Sequence, residues 1–158
     1  MNNSLNLVLY NPEIPQNTGN IIRLCHNTGT KLHLIKPLGF NFQDKNLRRA
    51  HMDYIESKLL FIHNSFEHFI ESENPEKLYA VDTIGDKNYS DLNYFGDEYF
   101  LFGSESKGFP KEIFFSKQII ERIQIPMKEG SRSINLSNSV AIVLYESLRQ
   151  IKFKGMEL

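Results

Sequence analysis

Residues 131–150 have the sequence SRSINLSNSVAIVLYESLRQ, in which a polar loop runs directly into an apolar helix. The apolar side chains recur at spacings of three and four, which places them on one face of the helix. These residues are Val140, Val143, Leu144, Leu148 and Ile151. Ser137 or Asn138 is expected to cap the start of the helix. The stretch therefore predicts a core helix that begins at a loop rich in hydrogen-bonding groups.

That loop carries more hydroxyl and amide groups than one helix cap requires. Two interpretations stay open at this point. The loop either holds a small polar ligand or is a capping loop with surplus polar side chains.

Short apolar segments alternate with helical patterns along the rest of the chain. Strands are predicted at 5–10, 32–35, 58–62, 78–81, 99–102 and 123–125. Helices are predicted at 17–28, 44–51, 65–73 and 110–116, and Gly29 is a natural terminator for the first of them. The alternation predicts an α/β fold with a mostly parallel sheet and helices on both faces. Without a linker or repeat, we expect one domain over residues 1–158.

Composition excludes several classes of protein. Of the 158 residues, 41% are hydrophobic, which is typical of a globular domain, and no segment approaches the length of a membrane span. The first residues lack the pattern of a secretory signal, so a cytoplasmic protein is expected. The single Cys25 excludes an internal disulfide and is expected to be a buried structural thiol. The five histidines show no metal-ligand spacing, so we predict no metal site, and His33 and His63 are expected to be structural.

Charge is distributed unevenly although the net charge is only −1. Residues 23–58 contain seven Lys or Arg against three Asp or Glu, and residues 106–158 contain nine against five. Residues 67–105 contain two basic and ten acidic residues. If the two basic segments are neighbours in the fold, they form a positive face; the alternative is chance patterning of solvated side chains.

Four loops follow predicted strands at the sheet edge where α/β proteins bind ligands, namely 11–19, 82–86, 103–110 and 126–138. Asn17 or Thr18 is expected to cap the first helix, and Arg23 lies near the same end. The helix dipole disfavours an arginine there, so Arg23 indicates either an anionic ligand or a carboxylate partner. Gly103 and Gly108 bound the third loop, which matches neither a P-loop nor a dinucleotide-binding fingerprint.

Three motifs stand in order along the chain: NPEIPQNTGNIIRL near the start, LFGSESKGFP in the middle and IPMKEGSRSINLSNSVAIVLYE near the end. Together they resemble the SPOUT (trefoil-knotted) RNA methyltransferases, and most closely the small single-domain tRNA 2′-O-methyltransferases that act on the wobble cytidine or uridine. The resemblance covers essentially the whole chain. It implies a Rossmann-like α/β fold with a deep C-terminal trefoil knot.

The resemblance also implies the ligands and partners. S-adenosyl-L-methionine is the expected methyl donor, with S-adenosyl-L-homocysteine as product. The expected substrate is the anticodon stem-loop of tRNA, notably of leucine isoacceptors. A homodimer is expected, with the RNA site shared between subunits.

Site roles follow from the same resemblance, residue by residue. Arg23 matches an arginine that helps activate the ribose hydroxyl, and Asn17 an asparagine that positions RNA and that arginine. Glu105 matches a glutamate near the cofactor, and Ser133 and Asn135 match a polar pair at the active site. Tyr145 matches a tyrosine at the boundary between the dimer interface and the active site, so these residues with Arg23 and Asn17 are the expected catalytic set. The implied cofactor contacts are Val81, Gly103, Gly108, Ile125, Met127, Ser133 and Leu136. The candidate RNA contacts are Lys45, Arg48, Arg49, Lys107, Arg132 and Arg149, with Lys152 and Lys154 beyond them.

The middle motif departs from the pattern usual in this family. Ser104 stands where proline is usual, which is expected to loosen one turn, and Lys107 replaces arginine, which loses the planar fork of donors. Three alternatives remain: a ribosomal-RNA ribose methyltransferase, a non-catalytic knotted RNA-binding factor, and a nucleotide-binding protein of flavodoxin type. The presence of Arg23, Ser133 and Asn135 speaks against a non-catalytic factor, and the lack of a phosphate-binding loop against the flavodoxin type.

Overall fold

Seven strands form one sheet in the computed structural model, which describes residues 4–157. The strands are β1 (Asn6–Tyr10), β2 (Lys31–Ile35), β3 (Leu60–His63), β4 (Leu78–Val81), β5 (Lys87–Asn88), β6 (Tyr99–Phe102) and β7 (Ile119–Gln124). Their order across the sheet is β3-β2-β1-β6-β4-β7-β5, and every neighbouring pair is parallel. The predicted parallel α/β architecture is therefore confirmed.

Five helices connect or follow these strands: α1 (Pro15–Thr28), α2 (Lys45–Ser57), α3 (Phe66–Glu73), α4 (Lys111–Phe114) and α5 (Leu136–Gln150). Gly29 ends α1 in the left-handed conformation, with φ of 68°, as the sequence predicts. Ser65 caps α3 by accepting a hydrogen bond from the backbone N–H of His68. The C-terminus of α1 and the N-terminus of α3 are therefore each set by a residue type whose backbone or side chain suits a helix end.

Side chains of β1 alternate between two hydrophobic clusters, one on each face of the sheet. Leu7 and Leu9 belong to the first cluster, and Val8 belongs to the second. The first cluster includes apolar residues of α1, α2 and α5, and the second includes those of α3 and α4. Full burial of one such side chain contributes about 1.5–3 kcal/mol, so the helices are fixed on both faces of the sheet.

The final helix buries the face predicted for it. Val140, Val143, Leu144 and Leu148 are buried, and Ile151 packs against the same cluster at partial exposure. Cys25 is also fully buried, and burial raises the pKa of its thiol to about 12, as expected for a structural cysteine.

Several element bounds differ from those expected. The two-residue strand β5 was not predicted, because Lys87–Asn88 carries no apolar pattern. Strand β7 begins at Ile119 rather than at 123, and α2 continues to Ser57 rather than ending at 51.

A buried histidine pair lies between β2 and β3. His33 Nδ1 is 3.0 Å from His63 Nε2, and the two side chains are 0% and 4% exposed. Burial first, and then the neighbouring His63 and Lys31, lower the pKa of His33 to about 3. The His33 ring is therefore neutral at neutral pH.

Candidate functional site

A cavity of about 540 Å³ opens at the carboxyl edge of the sheet. It lies among the loops that follow β1, β4, β6 and β7, and all four loops selected from the sequence contribute to its wall. Its volume falls within the range of about 300–1,000 Å³ that is typical of small-molecule sites. Apolar side chains and polar loop groups share the lining, so the cavity suits a ligand that has both apolar and polar parts.

All seven residues proposed as cofactor contacts line this cavity: Val81, Gly103, Gly108, Ile125, Met127, Ser133 and Leu136. The cavity is also lined by residues that were not predicted from the sequence to be site residues. These are Ile14, Asp82, Thr83, Ile84, Phe102, Ser104, Ser106, Phe109, Ile134 and Ser139. The rule that ligands lie beyond strand ends selected the loops that hold most of them, but it could not choose individual side chains.

The loop after β6 is closed by a pair of backbone hydrogen bonds between Ser104 and Gly108. Ser104 N donates to Gly108 O at 3.1 Å, and Gly108 N donates back to Ser104 O at 2.9 Å. A Cβ on Gly103 would lie 2.5 Å from the carbonyl carbon of Gly108, so only glycine fits at position 103. Gly108 itself has a φ of 62°.

Ser104 does not loosen this loop as expected. Its side chain is buried, and its hydroxyl oxygen accepts a hydrogen bond from the backbone N–H of Lys107 at 3.3 Å. The loop therefore gains an internal hydrogen bond at the position where proline is usual in the resembling family.

Glu105 lies in this closed loop and binds the start of α1. Its carboxylate accepts hydrogen bonds from the backbone N–H groups of Glu13 at 2.8 Å and Ile14 at 3.0 Å. Ile14 is the N-cap residue and has no capping side chain, so the carboxylate supplies a negative group from a distant loop. The expected caps, Asn17 and Thr18, lie instead within the first turn of the helix, because α1 begins at Pro15.

The side chain of Asn17 connects Glu105 to the loop before α5. Asn17 Nδ2 donates to Glu105 Oε1 at 3.3 Å, and Asn135 Nδ2 donates to Asn17 Oδ1 at 3.0 Å. Because a carboxylate only accepts hydrogen bonds, the first contact fixes the orientation of the Asn17 amide. The three sequence motifs therefore meet in one hydrogen-bonded chain at the cavity wall.

Asn135 also caps α5, in place of the expected Ser137 or Asn138. Its Oδ1 accepts hydrogen bonds from Ser137 N at 2.9 Å and Asn138 N at 3.3 Å, and also from the Ser137 hydroxyl. The expected caps fail because the helix begins one residue earlier than Ser137, at Leu136. Asn135 thus uses its oxygen for the helix and its amide nitrogen for Asn17.

Ser106 adds a second contact between the first and middle motifs. Its hydroxyl donates to Glu13 Oε1 at 2.7 Å, and this hydrogen bond lowers the pKa of the Glu13 carboxyl. Lys107 is exposed and lines the cavity, whereas Arg132 is exposed and lies outside it.

Arg23 and Tyr145 are not brought to the cavity wall. Both are exposed, and Tyr145 retains 43% of its accessible surface. Among the side chains that the structure describes, which leave out those of residues 46, 53 and 55–57, Arg23 has no hydrogen-bonding or ionic partner. Its guanidinium is therefore available to a ligand, as one of the two sequence interpretations requires, and none of the described carboxylates pairs with it.

The other basic candidates fall into two groups. Lys45, Arg48 and Arg49 lie on α2 and line a second, shallow cavity of about 330 Å³ together with Met52. Arg149, in contrast, donates two hydrogen bonds to the carboxylate of Glu146, at 2.8 and 2.9 Å. A phosphate contact made by Arg149 would therefore compete with this internal ion pair.

No helix within residues 4–157 has the length and apolar content needed to cross a membrane.

Comparison with known proteins identifies relatives along nearly the whole chain. The SpoU rRNA Methylase family matches residues 4–145. A tRNA (cytidine(34)-2′-O)-methyltransferase of Escherichia coli K12 is 48% identical over 154 residues, which cover 98% of each chain. A solved structure that describes 2-OH methylation of C/U34 on tRNA has a TM-score of 0.86 and 38% identity, covering 95% of this chain and 97% of the other.

A more distant structure shares the fold. It is an rRNA methyltransferase of Sinorhizobium meliloti with bound AdoMet, which has a TM-score of 0.80 and 22% identity. The match covers 94% of this chain but only 57% of the other, so this chain corresponds to one part of that longer protein.

Proposed function

Because this chain belongs to the SpoU methylase family, we propose that it methylates the ribose 2′-hydroxyl of the wobble cytidine or uridine in tRNA. The observation that carries this proposal is the chain of hydrogen bonds from Glu105 through Asn17 to Asn135, which joins all three motifs at one cavity. Its closely similar relatives of the same length carry the name of this activity. Leucine isoacceptors are the proposed substrates.

S-adenosylmethionine fits the cavity by size and by the chemistry of its lining. The ends of β4, β6 and β7 place backbone groups and apolar side chains such as Val81, Ile125 and Leu136 in one wall. Backbone donors and acceptors can read an adenine edge, while the apolar side chains cover its faces. When bound, this cofactor supplies an electrophilic methyl group on a sulfonium.

The residues of the chain then have to orient the ribose and promote removal of the proton from its 2′-hydroxyl. Rigid positioning of two reactants can supply several kcal/mol of the barrier, roughly 7–11 in favourable cases. The Glu105–Asn17–Asn135 network supplies such rigidity, because each of its three side chains makes at least one hydrogen bond to another segment of the chain. Ser133 and Asn135 present polar groups at the cavity wall toward the ribose.

Arg23 is proposed to stabilise negative charge at the ribose oxygen. A guanidinium remains protonated in proteins and is therefore a poor acceptor for the hydroxyl proton. The proton is proposed to pass to water or to an RNA phosphate. Arg23 then contributes positive charge and a planar fork of donors.

A homodimer is proposed because Arg23 and Tyr145 lie outside the cavity of their own chain. An RNA site shared between two subunits gives both side chains a place beside a cavity. The single domain over 1–158, the threaded C-terminal knot and a cytoplasmic location are proposed on the strength of the family resemblance.

The experiment is methyl transfer from labelled S-adenosylmethionine to two substrates, bulk tRNA and ribosomal RNA that lack ribose methylation. We expect label in tRNA, and a loss of about 100-fold or more for Arg23→Ala, which is the scale seen when one transition-state charge partner is removed. His26→Ala, an exposed residue on the same helix, is the matched control and should retain activity. Label in ribosomal RNA alone would favour the ribosomal alternative, and cofactor binding without transfer would favour a non-catalytic factor.

A further inference from the structure

Three potential metal ligands meet away from the proposed active site. His33 on β2, His63 at the end of β3 and Glu73 at the end of α3 have ligand atoms that all lie within 4.8 Å of one another. His33 Nδ1 is 3.0 Å from His63 Nε2 and 3.9 Å from Glu73 Oε1. None of the three lines the cavity at the carboxyl edge of the sheet. The cluster is therefore separate from the residues that methyl transfer would use.

Local sequence spacing could not have revealed this cluster. Thirty positions separate the two histidines, and the parallel pairing of β2 with β3 brings them together. Our expectation that the histidines hold no metal rested on spacing along the chain. It did not take account of ligands contributed by adjacent parallel strands.

The hydrogen bonds around His33 fix which ring nitrogen carries the proton. Asn6 Nδ2 donates to Ser4 O at 2.7 Å, so Asn6 Oδ1 is the atom that faces His33 Nε2, at 3.3 Å. An amide oxygen only accepts, so Nε2 of His33 must be the donor. In the neutral ring, Nδ1 then presents a lone pair to the centre of the cluster.

Ser72 allows His63 to present a lone pair as well. The Ser72 hydroxyl lies 3.2 Å from His63 Nδ1 and 3.3 Å from the carbonyl oxygen of Phe69. When the hydroxyl donates to the carbonyl oxygen of Phe69, its own oxygen can accept a hydrogen bond from His63 Nδ1–H, and His63 Nε2 is then the unprotonated nitrogen. Both outer nitrogens are then held by acceptors, the arrangement that orients metal-binding histidines in proteins.

Glu73 completes the set with a negative charge. Its side chain is 21% exposed, so an ion has a route from solvent on this side of the cluster. Burial, the larger cause, and the nearby negative charge of Glu73 raise the pKa of Tyr99 on β6.

We propose that His33, His63 and Glu73 bind one divalent zinc-class cation, with a fourth position open to water beside Glu73. Two nitrogens bound to tetrahedral Zn²⁺ at about 2.0–2.1 Å lie roughly 3.3 Å apart, so the facing nitrogens need to separate by only a few tenths of an ångström. Bound there, the ion connects the edge strand β3 and the end of α3 to β2.

The alternative to a metal ion is a proton shared in a hydrogen bond between His33 Nδ1 and His63 Nε2. If the Ser72 hydroxyl donates to His63 Nδ1, then His63 Nε2 carries a proton and donates it to His33 Nδ1. That arrangement is a hydrogen-bonded core pair and binds no metal. The two states use the same atoms, so a direct metal titration distinguishes them.

The test is titration of the chelator-stripped full chain with Co²⁺, followed by visible d–d absorption and displacement with Zn²⁺. We expect one tetrahedral Co²⁺ per chain, displaced by Zn²⁺, and a loss of affinity of about tenfold or more in both Glu73→Gln and His63→Ala. His26→Ala, at an exposed histidine on α1, should bind as the unaltered chain does.

Circular dichroism of each variant reports whether the fold persists, and Glu73→Gln, at a partly exposed side chain, is the change least able to disturb the core. The absence of saturable binding of one Co²⁺ would overturn the proposal. Binding by Glu73→Gln and His63→Ala that is as tight as binding by the unaltered chain would also overturn it, because the ion would then lie elsewhere.

Discussion

The side-chain amide of Asn135 donates a hydrogen bond to Asn17 Oδ1 over 3.0 Å, although 118 positions separate the two residues in the sequence. This contact joins the loop before the last helix to the first turn of the first helix. Glu105 holds the other end of Asn17. The three motifs therefore form one polar unit, whose perturbation should affect activity more than stability.

Glu105→Gln should impair this unit. The substituted amide keeps one acceptor oxygen but places an NH2 donor opposite one of the two backbone N–H groups, those of Glu13 and Ile14, which need acceptors. Methyl transfer should fall by about tenfold or more, and the free energy of unfolding by about 1–3 kcal/mol. Glu112→Gln, at an exposed glutamate on α4, is the control, and both quantities are measured by steady-state kinetics and urea unfolding. Unchanged activity in Glu105→Gln would show that the carboxylate is dispensable.

Two substitutions at Asn135 separate its two contacts. Asn135→Ala removes both the cap of α5 and the bond to Asn17, and should cost about 1 kcal/mol of stability. Asn135→Asp keeps an acceptor for Ser137 N and Asn138 N but removes the donor to Asn17. The aspartate variant should therefore be the more stable of the two, while methyl transfer falls in both. Full activity in Asn135→Asp would contradict a role for the contact with Asn17.

Gly103→Ala should disrupt the closed loop sterically. Its new Cβ would lie 2.5 Å from a backbone atom of Gly108, so the loop must open and cofactor binding should be lost. Gly130→Ala is the contrasting variant, because nothing lies within 4 Å of its added carbon and only its positive φ of 75° is costly, by roughly 1–2 kcal/mol. Calorimetric titration with S-adenosylmethionine should show binding to Gly130→Ala alone. Equal binding by the two variants would contradict the close approach at Gly103.

Stability should fall in alkaline solution because Cys25 is buried as a neutral thiol. Its pKa is raised to about 12 in the folded chain, whereas an unfolded thiol ionises near about 8.5. The unfolded chain therefore loses this proton first, and stability that is complete below about pH 8.5 declines as pH rises toward 12, by at most about 1.4 kcal/mol per pH unit for one group. Burial raises the pKa of Tyr54 in the same core, which adds to the decline at higher pH.

Urea unfolding between pH 8 and pH 10, compared with Cys25→Ala, measures this effect. The alanine variant should be less stable throughout, because it leaves a cavity, but its stability should decline less steeply with pH. Parallel declines would show that Cys25 is not responsible.

Binding of tRNA should weaken with added salt, and the basic residues of α2 should contribute to that dependence. Arg48→Ala should reduce the slope of log affinity against log salt concentration by about 0.7–0.9. Arg149→Ala should change the slope less, because Glu146 already neutralises that guanidinium. Filter binding at several salt concentrations measures both slopes. An affinity insensitive to salt would argue against phosphate contacts on this face.

The fold was largely predictable because local patterns and backbone chemistry agree with it. The spacing of Val140, Val143, Leu144 and Leu148 identified the buried face of α5, and Gly29 marked the end of α1 correctly. Strand β5 could not be predicted, because Lys87–Asn88 joins the sheet only through pairing with β7.

The site was predictable as a set of loops, but its internal contacts were not. The strand-end rule selected every loop around the cavity. Helix capping was misassigned at both α1 and α5. The start of α1 is bound by Glu105, which lies 92 positions from Glu13 in the sequence. The start of α5 is capped by Asn135, one residue before the helix begins. A long-range partner such as Glu105 leaves no spacing signal in the sequence, whereas Asn135 was missed because α5 begins earlier than expected, at Leu136.

The most direct measurement is nucleoside mapping of tRNA that this protein has methylated in vitro with labelled S-adenosylmethionine. The account predicts label on the 2′-oxygen of the first anticodon nucleotide, and its absence in Arg23→Ala. Label on a base, or on the ribose of any other tRNA position, would contradict it.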